Sequence, residues 1–214
     1  MTLPRIVSAA QWQAARDELL VEEKAATKAL DALAARRRTL PMVEFGEAYR
    51  FDGPDGEVSL PGLFDGRRQL IVYHFMMFAG DDHRCPGCSI LTDGLGHLAH
   101  LNARDTTLVL TSPAPQSQIR PYRERMGWTV PWFTASTGFT EDCGAGRGFG
   151  ISVFLADGGR VYRTYFTAGR GGDLVNTTLR WLDLTPLGRQ EAWERNGHGD
   201  SAPSSWWRLH DEYV

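Results

Sequence analysis

The sequence predicts one α/β domain in three layers, a central mixed β-sheet between helices, with a further helix added at the N-terminus. Three observations predict it. The run Leu70-Ile71-Val72-Tyr73-His74-Phe75-Met76-Met77-Phe78 is apolar on both faces, as a central strand covered on both sides must be. It empties into Cys85-Pro86-Gly87-Cys88 and a helix, after which Thr106 to Thr111 is β-branched and reads as the next strand. Two later strands, Phe149 to Leu155 and Val161 to Phe166, are joined by Asp157-Gly158-Gly159, a strong hairpin signal.

Composition bounds the function. A chain of 214 residues, 42% hydrophobic and 23% charged, is long enough to fill one hydrophobic core and has the balance of an ordinary globular protein. A formal net charge of −3 gives no electrostatic reason to expect nucleic acid, and Arg36-Arg37-Arg38 reads as neutralising a helix C-terminus. No stretch reaches the roughly 18 uninterrupted apolar residues of a membrane span. The start, Met1-Thr2-Leu3-Pro4-Arg5, leads into a charged helix without an apolar signal core, so a cytoplasmic location is expected. In that compartment the three cysteines, Cys85, Cys88 and Cys143, are too few for a disulfide scaffold, and a close pair points to catalysis or metal.

The organisation expected is a helical extension over 1–42, the core domain over 43–195 and an aromatic tail over 196–214. A helix is expected over roughly 8 to 38. Ser8 and Gln11 have the spacing of a capping box, with Val7 and Trp12 at the staple positions around it. Trp12, Leu19, Ala26 and Leu33 recur every seven residues beside Leu30, an apolar stripe that must pack on its own domain or on a second copy in a homodimer. Pro41 ends the element. Residues 48 to 60 read as a β-hairpin around Asp52-Gly53-Pro54-Asp55-Gly56, with Leu63 and Phe64 anchoring the following loop.

After the cysteines a helix runs to about residue 102, interrupted by Gly94 and Gly96. Pro113 stops the next strand, and a helix over about 116 to 126 closes at Gly127. A short extended piece covers Trp128 to Phe133. Past the second hairpin, Asp173 is expected to cap a last helix to about Trp181. The stretch 196 to 205, rich in Gly, Ser and Pro, reads as a surface loop before Trp206-Trp207-Arg208-Leu209-His210-Asp211-Glu212-Tyr213.

Strand, helix and strand followed by a hairpin and a closing helix is the thioredoxin topology, and a preceding hairpin is the peroxiredoxin-type addition. The residues carry a closer likeness. Glu23-Lys24, Ala34-Ala35-Arg36-Arg37, Leu40-Pro41, Tyr73-His74-Phe75-Met76, Cys85-Pro86-Gly87-Cys88-Ser89, Arg125-Met126-Gly127-Trp128, Pro131-Trp132, Tyr162 to Tyr165, Arg170-Gly171, and Leu182-Asp183-Leu184-Thr185-Pro186 with Gly188-Arg189 resemble a bacterial thioredoxin-like family known as domain of unknown function eight-nine-nine. The likeness runs over nearly the whole chain. It implies a thioredoxin-like fold and no assigned reaction. Two positions depart from ordinary thioredoxins: His83-Arg84 replaces the tryptophan before the first cysteine, and Phe149-Gly150-Ile151-Ser152 lacks the proline that helps hold an extended disulfide substrate.

The Cys-x-x-Cys pair is the candidate catalytic site. On the first turn of a helix two such Cβ atoms can reach disulfide geometry with a small adjustment. Pro86 suits the first helical position, since it has no N–H to leave unpaired. Cys85 then sits where free N–H groups and the helix dipole stabilise a thiolate, with Arg84 and a protonated His83 adding to the effect, while Cys88 lies one turn in and more shielded. Cys85 is expected to attack a disulfide or peroxide, and Cys88 to resolve the intermediate. Such a protein needs a disulfide or small-molecule substrate, a reducing partner and no cofactor. The alternative is a thioredoxin-fold binding or dimerisation protein whose cysteines are incidental.

A zinc site with His97 and His100 is disfavoured. On a continuous helix Cys88 and His97 stand roughly 13 Å apart at ~1.5 Å per residue, too far for a shared tetrahedral ion, and only a sharp break at Gly94-Leu95-Gly96 rescues it. His74, inside the central strand, reads first as a hydrogen-bonded core histidine and second as a proton shuttle for the cysteines. Asp81-Asp82 reads first as a solvated loop and second as a base for the resolving thiol, Cys143 first as an unreactive thiol and second as a third redox partner, and Gly144-Ala145-Gly146-Arg147-Gly148 precedes a strand, the wrong context for phosphate. Trp128 and Trp132 belong either to a groove beside the cysteines or to the core. The aromatic tail needs something to cover, on the active-site side or on another subunit.

Overall fold

The computed structural model describes residues 4–46, 48–194, 199 and 201–213. The chain divides into two compact units, Met1–Pro41 and Met42–Val214. In the first, α1 spans Ala9–Arg37. Its capping box is formed in both directions: the Gln11 N–H donates to Ser8 Oγ at 3.3 Å and the Ser8 N–H to Gln11 Oε1 at 3.1 Å. Arg36 and Arg37 occupy the last turn, where cations oppose the helix dipole. No residue of α1 is buried, and Trp12, Leu19, Leu30 and Leu33 of the apolar stripe are exposed.

The second unit is built on an eight-stranded mixed sheet in the order β1-β8-β7-β4-β5-β6-β2-β3. The strands are β1 Val43–Glu44, β2 Arg50–Gly53, β3 Gly56–Ser59, β4 Gln69–His74, β5 Thr106–Ser112, β6 Trp132–Ala135, β7 Gly150–Asp157 and β8 Arg160–Thr167. β4 runs parallel to β5 and antiparallel to β7, with the crossover through α2, Pro86–Asp93. β7 and β8 form the expected hairpin, and the β2–β3 hairpin adds to the sheet through β6. This is a thioredoxin-like fold of the peroxiredoxin type.

Alternation along β4 explains the layers. Leu70 and Val72 point into one core with Phe51, Phe139 and Phe154, while Tyr73 points into the other with Phe75, Met77 and Cys88. The sheet therefore separates two apolar clusters, and the cysteine pair belongs to one of them.

Several expected bounds shift for local reasons. The central strand stops at His74; the Phe75 N–H still donates to the Thr111 carbonyl, but the Phe75 carbonyl turns back to accept the Met77 N–H. The helix after the cysteines is two: α2 ends at Gly94 and α3 covers only Ala99–Asn102. Gly94 is pressed against Thr177, whose hydroxyl donates to its carbonyl at 3.1 Å. α4 spans Gln116–Arg125, and Gly127 turns the chain with φ +64°. A short α5, Phe139–Asp142, and the edge strand β1 lie where no element was expected. The last helix, α6, begins at Thr177: Asn176 caps it, whereas Asp173 is held by Arg189 and Arg170 at 3.1 and 3.2 Å.

Part of the 196–205 loop lies outside the described residues. Beyond it the chain returns to the body: Leu209 is buried, Arg125 holds Asp211 through two bonds of 2.7 and 2.9 Å, and His210 meets Asp93 at 2.8 Å. Among the described residues no helix is long and apolar enough to cross a membrane.

Candidate active site

Cys85 is the N-cap of α2, with φ −64° and ψ 109°, and Pro86 fills the first helical position as its missing N–H allows. Capping here is done by sulfur. Cys85 Sγ accepts the Cys88 N–H at 3.3 Å, and Met76 Sδ lies 4.0 Å away. Both cysteines are free thiols, Cys85 half-buried and Cys88 buried.

The side chains of the two cysteines act on each other, and this separates their acidities. A hydrogen bond from the Cys88 thiol is the largest influence lowering Cys85, to about 6; burial opposes it, and the N–H groups of Cys88 and Gly87 and the His83 charge assist. Cys88 moves the other way, well above the usual thiol range, because burial and the neighbouring Cys85 charge penalise its thiolate. Two donors oppose that rise: the Tyr73 hydroxyl, and the Met76 N–H at 3.5 Å from Cys88 Sγ.

The other expected site residues fall in different places. Arg84 donates to the carbonyls of Asp81 and His83 at 2.7 and 3.1 Å, and its guanidinium stacks over Tyr122 at 5.4 Å; it is not among the groups that lower Cys85. His74 is on the face of β4 opposite Tyr73, bonded to Ser152 Oγ at 2.8 Å and packed on Phe139. Burial, with the Arg163 charge adding, pushes it down to about 4, so it stays neutral in the core away from Cys88 and the shuttle role is set aside. Cys143 is buried in the same second core and raised to about 12 by burial. Trp128 packs on Phe75, Tyr122 and Trp132 and donates to Asp93 at 2.7 Å, while Trp132 is fully buried; neither lines the cavity at the cysteines. The helix break at Gly94 does exist, yet no three His, Cys, Asp or Glu side chains converge among the described residues.

What borders the cysteines is a cavity of about 470 Å³ walled by Phe149, Trp193 and Trp207, with Arg170, Arg189 and Glu191 among its polar lining. Gly87 is required there. A Cβ on it would stand 2.7 Å from Trp207 Cζ3 and 3.9 Å from Cys85 Sγ. The tail thus roofs the active-site side of its own chain. Gly172 has a similar duty, since a Cβ there would meet the Phe149 ring at 3.0 Å.

The cavity's far wall is a polar knot. Arg189, only 7% exposed, donates to both oxygens of Asp183 at 2.7 and 2.8 Å and to Asp173 at 3.1 Å. The buried Glu191 carboxylate accepts from the indoles of Trp193 and Trp206 at 2.6 and 2.9 Å and from the Ser204 N–H at 2.7 Å. Arg170 stacks on Trp193 at 4.4 Å. Composition and spacing do not single these residues out. Gly188-Arg189 and Arg170-Gly171 stood out only within the family resemblance, and the pairing of Trp207 with Gly87 has no local signal.

Comparison with known proteins agrees with the resemblance. The model of a bacterial family described as "protein of unknown function (DUF899)" matches residues 1–213. No curated protein sequence matches. Among solved structures, peroxiredoxin Q of Xanthomonas campestris is similar over 62% of this chain and 90% of its own, with 16% identity and a TM-score of 0.39. The bacterioferritin comigratory protein of the same organism, in a study of its alkyl peroxide reduction, covers the same shares with 13% identity and a TM-score of 0.40. An uncharacterized conserved protein from Geobacillus kaustophilus covers 58% of this chain and 72% of its own, at 15% identity and a TM-score of 0.38.

Proposed function

Because this chain belongs to the bacterial family of unknown function DUF899, which has no reaction to transfer, we propose from its own geometry that it is a thiol–disulfide oxidoreductase using Cys85 and Cys88. The observation that carries the reading is the capping position of Cys85: its sulfur accepts the Cys88 N–H at 3.3 Å, and it lines a cavity.

The Cys85 thiolate attacks one sulfur of a substrate disulfide, forming a mixed disulfide and releasing one thiolate. Cys88 gives its proton to that leaving group and attacks Cys85 Sγ, releasing the second thiolate. The protein dithiol loses two electrons, the substrate disulfide gains them, and an external dithiol reductant restores the pair. The placement of Arg84 favours a disulfide over a peroxide, since its guanidinium is committed to two carbonyls and Tyr122 instead of presenting donors at Cys85.

Differential alkylation near neutral pH tests this. Cys85 is expected to label faster than an unperturbed thiol, and Cys88→Ser to trap a stable mixed disulfide on Cys85. Slow labelling with no trapped adduct would instead favour a binding or dimerisation protein with incidental cysteines.

A further inference from the structure

The covered cavity bears on the class of substrate. A protein disulfide reaches a dithiol of this kind only if an extended polypeptide can be laid across the leading cysteine. Here that approach is occupied. The Trp207 ring lies against Gly87 beside the Cys85 sulfur, and Phe149, just ahead of β7, forms a wall packed on Gly172.

The cover is tied at both ends. Upstream, Glu191 accepts from the Ser204 N–H and the Trp206 indole. Downstream, Leu209 is buried in the core that holds Cys88, and Arg125 clamps Asp211 and Glu212. The space left beside the sulfurs, about 470 Å³, has the size of a small-molecule pocket. Its aromatic walls suit the polarisable sulfurs of a small disulfide.

We infer that the cavity is a binding site for the disulfide of a low-molecular-weight thiol, and that the Trp207 cover excludes protein disulfides; this rests on the dithiol reading above. The exchange is the one already written: the small disulfide leaves as two thiols and the protein keeps a Cys85–Cys88 disulfide. A protein substrate reacts only from the minor state in which the tail has lifted.

The test is single-turnover oxidation of the reduced full chain by bis(2-hydroxyethyl) disulfide and, separately, by insulin. The small probe is expected to react about a hundredfold faster than insulin, as follows if the open state is populated at about 1%. Trp207→Ala should narrow that ratio by about tenfold by speeding insulin, since a larger open population scales its rate. Arg125→Ala, on the exposed tail clamp, should narrow it in the same direction and serves if the tryptophan variant fails to fold. Equal rates with the two probes in the wild-type chain, or a ratio unmoved in the folded variants, overturn the inference while leaving the dithiol reading standing. Oxidation by neither probe overturns both.

Discussion

The edge of the Trp207 indole rests over Gly87 at a distance only glycine permits, with its Cε3 and Cζ3 atoms 2.9 and 2.7 Å from where a Cβ would stand. Pro86 and Gly87 thus act separately between the cysteines: one starts the helix, the other admits the cover. Gly87→Ala should strengthen the helix locally, by up to about 1 kcal/mol from propensity, while displacing the tail. The expected result is faster labelling of Cys85 by a bulky maleimide, by about tenfold if the open population grows in proportion. Labelling at the wild-type rate would show that Trp207 does not rest on Gly87 in solution.

The opposed acidities of the two thiols predict a titration. Thiolate absorbance of the reduced protein should rise around pH 6 and belong to Cys85. Cys88→Ala removes the thiol donor that contributes most to this lowering, so the transition should move to higher pH. Linkage gives the stability its sign. Cys85 is depressed in the folded state relative to about 8.5 when unfolded, so its stabilisation is complete above that value and lost as pH falls through about 6. Thermal melts of the reduced protein across this window should show the gain, and Cys85→Ser should remove it.

Tyr73 is the group best placed to help the buried sulfur. Its hydroxyl is one of the two groups that favour the Cys88 thiolate, and burial pushes its own pKa well above the usual phenol range, so it keeps its proton throughout. Hydrogen bonds to charged groups contribute about 1.5–3 kcal/mol, and each ~1.4 kcal/mol is a factor of ten. Tyr73→Phe should therefore slow resolution of the mixed disulfide by at least about tenfold without slowing the first attack. Rapid quenching followed by intact-mass measurement separates the two steps. Resolution at the wild-type rate would leave the Met76 N–H as the sufficient donor.

Features encoded by adjacent residues were legible in the sequence. The Ser8–Gln11 capping box, the Asp157-Gly158-Gly159 hairpin and the strand that delivers Cys85 to a helix start are all short-range signals, and each appears where it was expected. Elements settled by distant partners were not. Asp173 has the right chemistry for an N-cap, but Arg189 recruits its carboxylate and the cap passes to Asn176. A groove and the core suited Trp128 and Trp132 equally; Phe75 and Tyr122 pack on both, burying Trp132 in the core and leaving Trp128 half-buried against it. The aromatic tail was recognisable as needing cover, yet its seat depends on Gly87 and Glu191, which no periodicity connects to it.

Glu191 gives the last prediction. Its two oxygens both act as acceptors, Oε2 for the Trp193 indole and Oε1 for the Ser204 N–H and Trp206 indole. Glutamine is nearly isosteric but must present an NH₂ to one of these donor sets, leaving at least one buried N–H facing another donor. Glu191→Gln should cost about 1–3 kcal/mol, read as a lower melting temperature and altered tryptophan emission. The pH dependence has a definite sign. Burial works against ionisation of Glu191, but the three N–H donors and the Arg189 charge together outweigh it and hold the carboxyl below its usual range; Arg189, before any other group, does the same for Asp183. Their contributions are complete above the unfolded carboxylate values near about pH 4 and lost as pH falls through the lower folded values. Wild-type protein should therefore lose stability on acidification through that range, and Glu191→Gln, with one fewer depressed carboxyl, should lose less. An identical acid dependence in the two proteins would mean that the carboxylate does not hold the tail.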